Sequence, residues 1–405
     1  MQLLTVPSGL RRYFYSTSKE GFTLQDFQFT PLRMPAGIAL LRQQVRAFLQ
    51  RELGSMSAEQ RAYTWSGFDA EFSKKLGEQN WIAMIWPKHY GGHERSALER
   101  YVVVEELLVA GAPVAAHWIA DRQSGTVLQR FGQESICQRY LPKIASGELF
   151  FCIGMSEPDS GSDLASIKTR AVKVDGGWQV NGSKVWTSNV HKAQMMIALV
   201  KTGSGDSGRH SGMSQLLIDL SSPGVEVRGI VDHIGDTHFG EAFLTDVFVS
   251  DEMLLGTEGE GWQQVNAELS LERSGPERYL SSYRLFEELL AAIGDEPGDC
   301  VVEMVGTITA ELWTLRQMSM SVAGQINNGE DPALEATIVK DLGACFEQDL
   351  PPMVQAQLGD DIACRRGSDL DRVLKLLLRI SPSFSLRGGT REILRGIIAK
   401  GLGLR

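Results

Sequence analysis

Residues 151–164 read FCIGMSEPDSGSDL, a short apolar run that breaks into a tight loop of small and hydroxylated side chains. Gly161 and the serines around it let backbone N–H groups approach a ligand closely. Taken alone, such a loop is more often a plain surface turn. Downstream, WQVNGSKVWTSN (178–189) repeats the theme. Asn181-Gly182 predicts a hairpin turn, and the strand after it ends in Trp186, Thr187 and Ser188. An indole followed by hydroxyls suits stacking and hydrogen bonding to a flat heteroaromatic ring, a weak signal without company.

The texture differs on either side of this region. Upstream the apolar spacing is helical: in LLRQQVRAFLQREL, Leu41, Val45, Phe48 and Leu49 share one face. Around the loop come short runs such as QMMIALVKT, SQLLIDL, GVEVRGI and AFLTDVFVS, rich in strand formers and punctuated by Gly, Asn and Asp. From Glu258 onward helical spacing returns, broken by GDEPGD (294–299) and NNGEDP (327–332), which predict turns between long helices. The fold class expected is therefore α+β and multi-domain. A flexible arm (1–35) precedes a helical domain (36–147), a middle β-domain (148–256) and a helical bundle (257–405). The β/α alternation of a doubly wound sheet is missing, and so is a G-x-G-x-x-G between strand and helix, so a dinucleotide here needs another fold.

Bulk properties narrow the function. The 405 residues are 43% hydrophobic and 22% charged, with net charge -10. That composition is globular, and its acidity argues against nucleic-acid binding. No run reaches the roughly 18 apolar residues of a membrane span. Five widely spaced cysteines without a C-x-x-C pair read as thiols in a reducing compartment, which implies the cytoplasm. The first twenty residues carry Arg11, Arg12 and hydroxyls with no acid before Glu20. A bacterial arm or an organellar transit peptide explains them, the second implying the mitochondrial matrix. His89 and His93 are four apart, but Tyr90-Gly91-Gly92 interrupts any helix between them and no third ligand is evident, so no metal is expected.

Together the two segments at 151–164 and 178–189 strongly resemble the acyl-CoA dehydrogenase family. The resemblance extends through NWIAMIWPKHYGG (80–92), VEELLVAGAP (104–113), RYLPKIASGELFFC (139–152), FLTDVFVSDEMLLG (243–256) and LRGGTREILRGIIAKGLG (386–403). It implies an N-terminal helical domain, a middle β-barrel domain and a C-terminal four-helix bundle, with FAD between barrel and bundle. Residue by residue, it implies that Met155 and Ser156 meet the pyrimidine side of the flavin. Trp186 would pack on the isoalloxazine, and Ser188 would hydrogen-bond near its N5. Ser162 would touch both the cofactor and the coenzyme A arm. Gly389, Thr390 and Glu392 would meet the FAD phosphate and adenosine region.

The family's reaction turns an acyl-CoA thioester into its trans-2-enoyl-CoA: a carboxylate takes the α-proton and hydride leaves Cβ for flavin N5. Many members carry this base in a C-terminal Y-E-G-T sequence. Here that sequence reads Arg387-Gly388-Gly389-Thr390, and Gly388 cannot act. Other members place the base on a bundle helix as L-x-L-E-R, and LSLERSGPERY supplies Glu272, with Arg273 beside it as a substrate anchor. In an unfamiliar helix a Glu-Arg pair is more often a solvated surface pair. Glu277 and Arg278 read as structural, and His191 and Lys192 as loop surface.

The resemblance weakens in the bundle. RLFEELLAAIGDEPGDC and VQAQLGDDIACRRGSD replace the segments that, in homo-oligomers, reach a neighbour's FAD, although Gln357 and Gly359 could be remnants. This points to an α2β2 assembly with a paralogous subunit, as in bacterial enzymes acting on steroid side-chain thioesters. A divergent homotetramer is the alternative. The expected electron acceptor is an electron-transferring flavoprotein. An acyl-CoA oxidase, or a partly degenerate subunit of a heteromeric dehydrogenase, are the competing readings. A flavin monooxygenase on this fold would lack a helix-borne base. The acyl group is not legible.

Overall fold

The computed structural model describes residues 27–203, 208, 210–272, 275–359, 362 and 364–404, with backbone alone for 267–272. The chain opens with helices α1 (Ile38–Glu52), α2 (Ala58–Ala62), α3 (Ala70–Glu78) and α4 (Ala97–Val109). The inward face of α1 is Ile38, Leu41, Val45, Phe48 and Leu49, the stripe legible in its sequence. Ser57 and Ser96 start α2 and α4 with reciprocal capping boxes, to Gln60 and Glu99. Next come α5 (Ala115–Ile119), a π-helical turn (Ala120–Ser124), α6 (Gly125–Phe131) and α7 (Glu134–Ala145).

The middle of the chain is a single sheet of β1 (Phe151–Gly154), β2 (Arg170–Val174), β3 (Gly177–Ser188), β4 (Met195–Lys201), β5 (Met213–Asp219), β6 (Val225–Ile230), β7 (Phe239–Ser250) and β8 (Leu254–Leu255). Its hydrogen-bonded order is β6-β7-β3-β2-β4-β5-β8, and β1 runs parallel to β4 with Phe151 opposite Met195. Cys152, Trp178, Val180, Met196, Ala198, Leu216, Ala242 and Val247 form its buried core. The hairpin expected at Asn181-Gly182 is not there: β3 runs unbroken through both residues, and β2 turns into β3 at Asp175-Gly176. Asn181 and Gly182 instead form a bulge opposite β7, where the pairing shifts between Val180 and Gly182. The Asn181 amide exchanges two hydrogen bonds with Asp246, at 3.0 and 2.9 Å. A Cβ on Gly182 would lie 2.5 Å from the Thr169 hydroxyl. An Asn-Gly pair therefore marks an irregularity of twist, and only the partner strand decides whether that is a turn or a bulge.

Helices then return as α8 (Gly261–Glu272), α9 (Tyr283–Ala292), α10 (Asp299–Asn327), α11 (Ala333–Ala356), α12 (Asp369–Ile380) and α13 (Arg391–Gly401). The breaks at 294–299 and 327–332 fall where turns were expected. N- and C-terminal helices share one apolar core: Val45, Leu107 and Leu141 belong to the same cluster as Leu285, Val373 and Leu377. The β-domain packs on these helices through β1, β4 and β5, whose Phe151, Met195, Ile197 and Leu217 join the same cluster.

Candidate active site

The loop after β1 hangs on a buried ion pair. Glu157 closes a two-residue bridge with Ser160, and its carboxylate receives the Thr169 N–H at 3.0 Å, the Lys168 N–H at 2.5 Å and the Lys184 ammonium at 2.8 Å. Lys184 is 0% exposed and also donates to the Met155 carbonyl at 3.2 Å. Gly154 makes this possible, because a Cβ there would press on Met196 and the Lys184 stem. Burial drives the Lys184 ammonium down to about 8, with Glu157 opposing the shift. Burial likewise raises the Glu157 carboxyl, but the Lys184 charge and the N–H donors outweigh it and leave it below the ordinary range. Both groups are ionised at neutral pH. The pair ties the segment carrying Met155 and Ser156 to the strand carrying Trp186, and Val185 N–H donates to the Ser156 carbonyl at 3.0 Å.

Strand β3 then bulges a second time, between Lys184 and Thr187. Trp186 adopts φ 56, a left-handed conformation that costs a non-glycine residue about 1–3 kcal/mol. The bulge turns its indole out of the sheet, so that 61% remains exposed, with the Phe239 ring edge-on to it at 6.2 Å. Ser188 is half-buried beside it. The hydroxyl of Thr187 and the amide oxygen of Asn189 are buried without a hydrogen-bond partner. Orphaned polar atoms beside an indole held out by strain fit a polar, flat ligand that completes the wall. Ser162, at the outer side of the loop, is exposed.

The opposite wall is helical. Helix α8 packs against β5, α6 and the π-helical turn, and Glu272 is its last residue. Its side chain, and Arg273 altogether, lie outside the described residues. Beyond, Glu277 and Arg278 are buried, Glu277 at 2.6 Å from Arg122, consistent with structural roles. The turn before α13 holds Gly388 at φ 64 and Gly389 at φ 104. The buried Lys340 ammonium donates to the Gly389 carbonyl at 3.0 Å and pins the turn. Thr390 is the N-cap residue of α13. The Glu392 carboxyl is held below its ordinary range by its own backbone N–H and the Thr390 hydroxyl. A helix start reached past two residues without side chains fits a phosphate, which would take the place of the Glu392 carboxylate at the backbone N–H.

The sequence reading therefore missed the Glu157–Lys184 pair and the orphaned atoms. The pair had a visible signal: a lysine between Val180 and Val185 in a strand otherwise facing a core demands an acid. His191 and Lys192 are exposed, as read. Among the described residues no group of His, Cys, Asp and Glu is arranged to hold a metal, and no helix is long and apolar enough to cross a membrane.

Comparison with known proteins bears on this arrangement. Residues 38–148 match the model of the acyl-CoA dehydrogenase N-terminal domain, and residues 152–247 match that of the middle domain. Acyl-CoA dehydrogenase IpdE1 of Mycobacterium tuberculosis is 31% identical over 89% of this chain and 95% of its own. Acyl-CoA dehydrogenase FadE34 of the same organism is also 31% identical, over 81% of this chain, which spans only 45% of that longer relative. Among solved structures, the Tcur3481-Tcur3483 steroid ACAD superposes with a TM-score of 0.81 at 27% identity, covering 92% of this chain and 98% of that one. The ChsE4-ChsE5 complex of M. tuberculosis gives 0.79 at 26% identity, over 93% and 99%.

Proposed function

The chain belongs to the acyl-CoA dehydrogenase family, an oxidoreductase family that binds FAD, and from that premise we propose that it converts an acyl-CoA thioester into the trans-2-enoyl-CoA with Glu272 as the α-proton base. The observation that carries this reading is a complementary pair of positions. Residue 388 is a glycine, held at φ 64 in a pinned turn, while a carboxylate residue ends helix α8. The turn before α13 carries no carboxylate at the family's usual position, and the end of α8 offers the candidate.

FAD, when bound, supplies the acceptor for the hydride that leaves Cβ. Met155, Ser156, Trp186 and Ser188 would hold its ring, and Gly389, Thr390 and Glu392 its phosphate and adenosine region. Ser162 would guide the coenzyme A arm, and Arg273 would anchor substrate. Glu272 must hold its carboxylate away from water, since desolvation raises a base towards the acidity of the thioester α-carbon. We further propose an electron-transferring flavoprotein as acceptor. A paralogous partner subunit is supported by the heteromeric names of the solved relatives and by the altered segments around 284–300 and 354–369.

Anaerobic titration with straight, branched, aromatic and steroidal thioesters tests the reading through loss of oxidised-flavin absorbance. Glu272→Gln should still bind thioester while flavin reduction slows by about 10²–10⁴-fold, the usual worth of a positioned base. Full-rate reduction by that variant would move the base elsewhere. Counting FAD per chain, alone and with candidate partner subunits, tests the assembly: full occupancy in a homo-oligomer rules out the need for a partner.

A further inference from the structure

Trp65, in the segment between α2 and α3, is half-buried, and three guanidiniums from distant parts of the chain converge on its indole. Arg387 lies over the ring at 4.8 Å, Arg278 at 5.3 Å and Arg122 at 5.7 Å. Arg122 also covers Trp118 at 4.6 Å, and the two indoles meet edge-on at 5.0 Å. Among the described residues, two carboxylates lie against this charge. Glu277 pairs with Arg122, and the fully buried Glu347, which accepts the Ser281 N–H at 2.6 Å, faces Arg387 and Arg278. Asp232 and Asp236 lie beyond His238 and are spent on their own turn and on the Tyr63 hydroxyl.

Arg122 and Arg278 are buried, whereas Arg387 and Trp65 keep part of their surface open. Arg387 donates to the Ser281 hydroxyl at 3.0 Å and rests on Phe384 at 3.8 Å, so its plane is fixed. It also neighbours His238, buried with Nδ1 lacking a hydrogen-bond partner. The His238 ring abuts Phe239 at 4.6 Å, and Phe239 abuts Trp186. Two ring contacts thus separate the arginine from the indole proposed to carry the flavin. Trp118 Nε1 is a further buried, unmatched donor beneath the cluster.

A preoriented guanidinium on an indole, backed by two more, recognises an anionic planar group. Resting on the thioester reading above, we propose that the acyl group of the substrate carries an ionised carboxylate remote from the thioester, received by Arg387 at Trp65. A residue that replaces the tyrosine of the Y-E-G-T sequence thereby sets specificity.

Calorimetric titration of the FAD-loaded protein with S-(ω-carboxyalkyl)-coenzyme A thioethers of several chain lengths, and with their methyl esters, tests this without turnover. The carboxylate should bind at least tenfold more tightly than its ester at one chain length. Arg387→Gln should bring the ratio within twofold by weakening only the carboxylate, and Arg387→Lys should keep part of it. Equal affinities in the native protein, or a preference that survives Arg387→Gln, overturn the inference and leave the dehydrogenase reading standing. Binding of neither series overturns both. The native ratio decides the matter even where a variant fails to hold FAD.

Discussion

At the β-domain wall, the buried charges Glu157 and Lys184 satisfy each other together with nearby N–H and carbonyl groups, all within residues 155–184. At the helical wall, Arg122, Arg278 and Arg387 come together from segments more than about 100 residues apart and depend on tertiary packing to meet at Trp65. The first arrangement is local and closed, suited to presenting the same backbone to the same ring. The second is assembled and partly open, suited to tuning what enters. On the reading proposed above, the cofactor side is built for constancy and the acyl side for choice.

Breaking the closed wall should have the largest effect. Lys184→Met leaves Glu157 buried without its counter-charge and is expected to cost about 3–5 kcal/mol, read by denaturant unfolding, together with loss of bound FAD. An unchanged midpoint would mean that water reaches Glu157 and that the wall is not closed.

Acid should next distinguish regions by their buried histidines. Burial drives the His117 imidazole down to about 4, and its Nδ1 sits 2.9 Å from the Ser73 hydroxyl in the helical domain. The folded value lies below the unfolded one near 6.5, so the unfolded chain binds the extra proton between those limits. Stability is therefore full above about pH 6.5 and falls as pH drops towards 4, by about 2 kcal/mol at pH 5 from His117 alone. His238, also near 4 through burial and then Arg387, adds a loss of the same sign in the same window. Thermal melts from pH 7 to pH 5 should show the fall, and His117→Gln should flatten it; an equally steep curve in that variant would assign the effect elsewhere.

The turn before α13 should respond more mildly. Gly389→Ala makes ordinary van der Waals contacts, the nearest at 3.8 Å, but must hold φ 104, which costs about 1–2 kcal/mol. The melting temperature should drop accordingly, and FAD affinity should drop with it. Thr390→Ala should have the smallest effect on folding, under about 0.5 kcal/mol, because the Thr390 side chain makes no capping bond to its helix. If its FAD affinity also stays unchanged, the proposed phosphate contact at this helix start is wrong.

Much of the fold is legible in the sequence. The stripe of α1, the strand runs of the middle domain and the turns at 294–299 and 327–332 follow from periodicity, which depends only on near neighbours. The polar loop and the WTSN strand end were legible because their chemistry is local as well. The hairpin read at Asn181-Gly182 went wrong for the opposite reason: whether a bulge or a turn forms depends on Asp246, which is 65 residues away. Trp186 could be named from sequence, but not its left-handed backbone or the exposure that follows from it.

The sequence by itself determined the order of helix, sheet and helix, the polar loop after β1, and the presence of glycine at 388 with a carboxylate residue at 272. Only the tertiary structure decided that Lys184 would be the acid's partner and that three arginines would share one indole. Patterns of burial repeat every two or three to four residues and leave their trace in the chain. Charge pairing acts through space with no fixed period, so it becomes readable only when the elements have packed.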